Sequence, residues 1–135
     1  MSSDTGTPPG SAPPAVQIVE LTPQAAAAVV ALARSLGLEA ARIDLAGCTD
    51  KAGLLGRTAA ALGFPAWFGD NWDALFDCLA DLSWRPAPGY VLVFENTGDL
   101  RRQSPESLET AVAILGDAAA AWQARDTPFR ALVAA

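Results

Sequence analysis

The stretch W67-FGDNWDALFDCLADLS-W84 decides how the rest of the chain is read. Within it Trp72, Leu75, Phe76, Leu79 and Leu82 fall at i, i+3, i+4, i+7 and i+10, which sets apolar side chains on one face of a 3.6-residue period and predicts a short helix. Asp70 or Asn71 supplies the cap, because either side chain accepts from the unpaired N–H groups of a first turn, and Gly69 allows a sharp bend just before it. The opposite face is acidic. Asp73, Asp77 and Asp81 are spaced by four and drift by about 40° per step down one stripe that also holds Ala80. Phe76 stands on the border, about 60° from Asp73 and about 60° from Leu79, so its ring reaches both the core and whatever meets the carboxylates.

Such a stripe is locally unfavourable. Like charges at i, i+4 repel by a few tenths of a kcal/mol per pair, aspartate is a poor helix former, and the helix dipole favours a carboxylate at Asp73 but disfavours one at Asp81. Two readings follow: a solvated polar face, or carboxylates held for a cationic partner.

The chain has 135 residues, enough for one domain with a real core, and lacks an apolar run of the roughly 18 residues needed to span a membrane. Nothing near the N-terminus has the basic-then-apolar pattern of a secretory signal, so a cytoplasmic protein is expected. There is no histidine, and the two cysteines, Cys48 and Cys78, stand 30 residues apart with no CxxC pair. That argues against a zinc site and a disulfide framework, removes Ser-His and Cys-His nucleophilic machinery, and leaves both thiols as expected core side chains. Residues 67 to 117 hold nine acids and three bases, a balance of −6 that equals the net charge of the whole chain. A field of this sign repels nucleic-acid phosphates and attracts basic proteins.

Residues 1–14 are rich in Ser, Thr, Gly and Pro and read as a disordered tail. Residues 16–21 alternate as a strand. Thr22 and Pro23 then open an alanine-rich helix that stops at Gly37. Residues 42–45 read as a second strand, and Thr49 or Asp50 caps a helix that ends at Gly63. After the central helix, Pro86, Pro88 and Gly89 break the chain ahead of YVLVFE (90–95), an apolar run suited to a strand buried on both faces. Residues 96–103 read as a polar loop. Ser104 and Pro105 start a long helix with Leu108, Val112, Leu115, Ala119 and Trp122 inward and Asp117 turned away, and residues 129–134 form a last strand. This order predicts an α/β fold: a small parallel sheet with right-handed helical crossovers.

The central stretch resembles the barstar family, intracellular inhibitors of secreted barnase-type ribonucleases. The resemblance is carried by Trp67, Phe68 and Gly69, by Asn71, and by the run Asp73, Ala74, Leu75, Phe76, Asp77, Cys78 and Leu79, with the surrounding element order from about Arg42 to Val133. It implies a domain over 42–135, with 15–41 as a strand-helix extension that has no counterpart in the compact inhibitors. It also implies that Asp77 enters the nuclease's phosphate-binding site, that Asp73 and Phe76 lie beside it, that Trp67 replaces a rim tyrosine, and that Asp117 matches an acidic contact residue. Where the family has threonine, glycine and tryptophan at the far end of the helix, this chain has Ala80, Asp81 and Leu82, so an aromatic contact is lost and a charge gained.

The expected partner-binding set is therefore Trp67, Asn71, Asp73, Phe76, Asp77, Ala80, Asp81 and Asp117. The expected function is a monomeric, cofactor-free ribonuclease inhibitor or immunity protein that plugs a basic nuclease cleft, as in a toxin-antitoxin pair, with no direct contact to nucleic acid or membrane. Two alternatives stand beside it: a barstar-like binding or regulatory module for another basic protein or toxin, and an enzyme using Asp73 and Asp77 as a carboxylate pair or as Mg²⁺ ligands. Trp67 and Phe68 are also consistent with simple packing next to a sharp turn, and Trp72 with a place in the core.

Overall fold

In a computed structural model, residues 14–135 are described; the tail read over 1–14 lies outside them except for Pro14. The elements in chain order are β1 (Val16–Val19), α1 (Pro23–Ser35), β2 (Glu39–Asp44), α2 (Lys51–Leu62), α3 (Trp72–Asp81), β3 (Tyr90–Glu95), α4 (Gly98–Gln103), α5 (Pro105–Gln123) and β4 (Phe129–Ala134). The four strands form one all-parallel sheet in the order β1-β4-β3-β2. The α/β class and the parallel sheet expected from the sequence are what the chain adopts.

Alternation along the strands sends side chains to two unequal layers. Ala41, Ile43 and Leu45, Tyr90, Leu92 and Phe94, and Phe129, Ala131 and Val133 point to one face, where they pack with Leu54, Leu55 and Leu62 of α2, Leu75 and Leu79 of α3, Leu100 of α4, and Leu108, Leu115 and Trp122 of α5. The other face is covered by α1, whose Ala26, Val30 and Ala33 pack on Ala40 and Val93. The segment before β2 is thus woven into the sheet: β1 pairs with β4 from Val16↔Ala131 to Val19↔Ala134.

Local chemistry explains most element boundaries. The Thr22 hydroxyl accepts from Ala25 N at 3.0 Å and Pro23 follows it, while Asp50 rather than Thr49 caps α2 by accepting from Gly53 N at 2.9 Å. Gly63 ends α2 in the left-handed region at φ 63°.

Three expectations are corrected. The second strand begins three residues earlier than Arg42, at Glu39, because the ladder with Tyr90, Val91 and Leu92 recruits Glu39, Ala40 and Ala41, which have little intrinsic strand preference. The expected polar loop at 96–103 contains α4; six residues with a single buried anchor, Leu100, are too few to show a helical period. At α5 the Ser104 hydroxyl makes no cap bond and turns instead to Glu106 Oε2 (3.0 Å) and Ser107 Oγ (2.8 Å). Among the described residues no helix is long and apolar enough to cross a membrane.

Candidate partner-binding surface

Helix α3 is held at both ends. At its start Asn71 Oδ1 accepts from Ala74 N at 2.8 Å and its amide nitrogen donates to Gly69 O at 3.2 Å, while Asp70 takes the left-handed turn at φ 51°. The cap is therefore Asn71, and its side chain is committed to positioning the helix. At the far end Leu82 ends the helix in the left-handed region at φ 47° with its side chain fully buried. The last carbonyls are met from α5: Trp122 Nε1 donates to Leu79 O at 2.8 Å, and Arg125, whose guanidinium lies 4.0 Å from the Trp122 ring, donates to Ala80 O. A cation there also offsets the negative end of the helix, where Asp81 sits.

With the ends held and Leu75, Cys78, Leu79 and Leu82 buried, the opposite stripe faces water. Asp73, Asp77 and Asp81 are exposed, and Phe76 and Ala80 are half-buried beside them. Among the described residues Asp73 and Asp77 have no ion pair, and Asp81 accepts one hydrogen bond, from Ser83 Oγ at 3.1 Å. Three acids elsewhere are ion-paired: Glu95 with Arg42 through two bonds of 2.6 and 2.7 Å, Glu39 with Arg85, and Asp99 with Arg102. The α3 stripe thus sets three exposed carboxylates without salt bridges on one rigid face.

Aromatic side chains frame the start of α3. Phe68 packs edge-on to Phe64 at 4.9 Å, Phe64 to Trp84 at 5.9 Å, and the Trp84 indole donates to Leu62 O at 3.1 Å. On this platform Trp67 stands edge-on to Trp84 at 6.5 Å and remains 61% exposed. Phe68 is thus a packing residue, while Trp67 is available to a partner. Trp72 is half-buried, with the Lys51 ammonium 5.1 Å from its ring.

The remaining expected contact, Asp117, lies exposed on the outward side of α5, with Leu115 and Ala118 buried beneath it. The two cysteines are buried and unbridged. Burial, then the Asp77 and Asp81 carboxylates, push the Cys78 thiol up to about 11, which leaves it without thiolate character at neutral pH. Among the described residues no group of three or more His, Cys, Asp or Glu side chains is arranged to hold a metal ion. What the surface offers is fixed negative charge next to an exposed indole.

A family model described as Barstar (barnase inhibitor) matches residues 38–134. The chain belongs to the barstar family. Its match spans β2 to β4, begins just before the corrected start of β2, and takes in all of α3 and its aromatic frame. A comparison with curated proteins returned no match. Membership supports the reading of the chain as a barnase-type inhibitor in general terms, with a protein nuclease as the kind of partner the family binds.

Within the barstar frame two residues escaped the sequence reading. Arg125 reaches the end of α3 from 45 positions away, and no local pattern announces it. Lys51, the one lysine in the chain, sits over Trp72 from the first turn of α2. At the end of the helix Leu82 is a core residue, as its apolar spacing implies, so the surface there is made by exposed Asp81 and half-buried Ala80.

Proposed function

We propose that this chain inhibits a basic, barnase-type ribonuclease by laying α3 across its active-site cleft, with the Asp73, Asp77 and Asp81 carboxylates standing where substrate phosphates bind. The observation that carries the reading is the stripe itself: three exposed aspartates, spaced one helical turn apart and without countercharges among the described residues, on a helix anchored at both ends. A stripe of this kind weakens the free helix and gains only when cations of a partner meet it. Carboxylates on a rigid element also lose little conformational entropy on binding.

Asp77, central in the stripe, takes the cationic centre of the cleft; Asp73 and Phe76 flank it, Trp67 covers the rim, and Asp117 extends the acidic surface onto α5. Asn71 contributes by orienting the helix. Asp81 adds charge at the end where the aromatic contact is missing, which favours a target with an additional cation there and so a specificity of its own. Immunity against a co-produced toxin and action in the cytoplasm belong to the same proposal.

The test is a titration of a purified barnase-type ribonuclease with the chain, read by RNA cleavage. Stoichiometric loss of cleavage supports the proposal. Unchanged cleavage across a panel of basic ribonucleases, together with capture of a basic protein of another kind, replaces it with the binding-module reading.

A further inference from the structure

Helix α1 presents an almost uncharged face to water. Between Leu21 and Leu38 the single charged residue is Arg34, and Ala25, Ala28, Leu32 and Leu36 lie exposed along one stripe spaced by three, four and four. That is the spacing of a helix–helix seam. Leu32 and Leu36 are 63% and 66% exposed; with Ile18 they make up three of the four exposed large apolar side chains among the described residues, and the fourth is Trp67. All three precede the residues matched by the barstar family. Inside that match the exposed large apolar residue is the one on the proposed binding face.

Charge and shape say what covers α1. The acidic helices α3 and α5 pack on one face of the sheet and α1 on the other, so the net charge of −6 is weighted away from α1. Two copies repel each other through most approaches, and least where two uncharged faces meet. An antiparallel two-fold pairing also lays the Leu32–Leu36 end of one helix on the Ala25–Ala28 end of the other, large on small, while Arg34 is turned away from the seam and donates to Ala40 O at 3.2 Å. A lipid surface fits less well, because α1 carries a single base, Arg34, and no aromatic anchor.

From these observations we infer that α1 is a homodimer interface, pairing two copies back to back and leaving both acidic helices open. A 13-residue helix is about 20 Å long, and its pairing buries less than the roughly 800 Å² per partner of a stable interface, so the dimer is weak and concentration-dependent. This departs from the monomer expected of the sequence and does not depend on the inhibitor proposal.

Sedimentation velocity on the full chain, from about 5 to about 500 μM, tests it. The wild-type mass should rise toward twice 13.9 kDa, the double variant Leu32→Glu/Leu36→Glu should dissociate at least about tenfold more readily, and Ile18→Lys should behave as wild type. These positions are exposed, so circular dichroism should be unchanged, and the titration endpoint against a ribonuclease should be the same for all three proteins. A chain that stays monomeric throughout overturns the inference; if it then dimerises only after removal of residues 1–13, the N-terminal segment is what covers α1. Loss of the dimer in Ile18→Lys with retention in the leucine variant also overturns it and assigns the contact to the free edge of β1.

Discussion

The indole nitrogen of Trp122 on α5 donates to the carbonyl oxygen of Leu79 on α3 at 2.8 Å, in a buried contact that ties the last turn of the acidic helix to the longest helix of the fold. Arg125 stacks on the same indole and donates to the next carbonyl, Ala80 O. The acidic stripe is thereby held at the end where its own dipole and charges oppose it.

Replacing Trp122 with Phe keeps most of the packing and removes the donor. The Leu79 carbonyl is then buried without that partner, and stability should fall by about 1–3 kcal/mol. Denaturant melts measure this. A variant as stable as the parent would show that the contact does not anchor α3.

Steering should govern association. The acidic segment acts on a basic cleft over distances near the Debye length, about 10 Å at 0.1 M salt. The on-rate should fall at least about tenfold between low and roughly 0.5 M ionic strength, while the off-rate changes much less. Stopped-flow mixing across a salt series checks it, and a salt-independent on-rate removes the electrostatic account of encounter.

Cys78 should be inert in the folded protein. Its side chain is fully buried and its thiol is pushed up to about 11, first by burial and then by Asp77 and Asp81. A thiol-disulfide reagent at pH 8 should label neither cysteine under native conditions, since Cys48 is buried too, and both in denaturant. Rapid native labelling of Cys78 would mean that α3 opens from the core.

Asp44 carries a pH-dependent share of stability. Its carboxylate accepts from the Asn96 side chain at 2.8 Å and from Ala46 N at 2.9 Å, and these bonds, Asn96 first, lower its pKa below the ordinary 3.8. A depressed folded pKa gives stability that is present above the unfolded value and is lost as pH falls through the folded one. The stability gap between wild type and Asp44→Asn should therefore be constant near neutrality and shrink below about pH 4. A gap that widens on acidification would contradict the sign.

The sequence was most legible where a single local rule operates. Period and capping located α3, with its cap narrowed to Asp70 or Asn71, alternation located β1, and a continuous apolar run located β3. The site was legible as a stripe, because four-residue spacing survives any tertiary arrangement. What could not be read depends on distant partners. Glu39 joins β2 only because Tyr90 lies beside it, and Arg125 meets Ala80 only because α5 crosses the end of α3. Leu82, by contrast, was legible as a core residue from its apolar spacing, and the left-handed turn that ends the helix keeps it buried. Helix α4 is too short to announce itself, and the pairing of β1 with β4 joins residues more than 110 positions apart.

The central claim is tested most directly by Asp77→Ala, with stability and inhibition measured on one preparation. Alanine favours the helix by about 0.5 kcal/mol, and removing the charge relieves two repulsive contacts, with Asp73 and Asp81, of a few tenths each. The free variant should be more stable by roughly 0.5–1 kcal/mol, and its inhibition weaker by several kcal/mol, because cations of the nuclease would be left desolvated and unpaired. A variant that is destabilised, or that inhibits as well as the parent, would contradict the assignment of Asp77 to the centre of the binding surface.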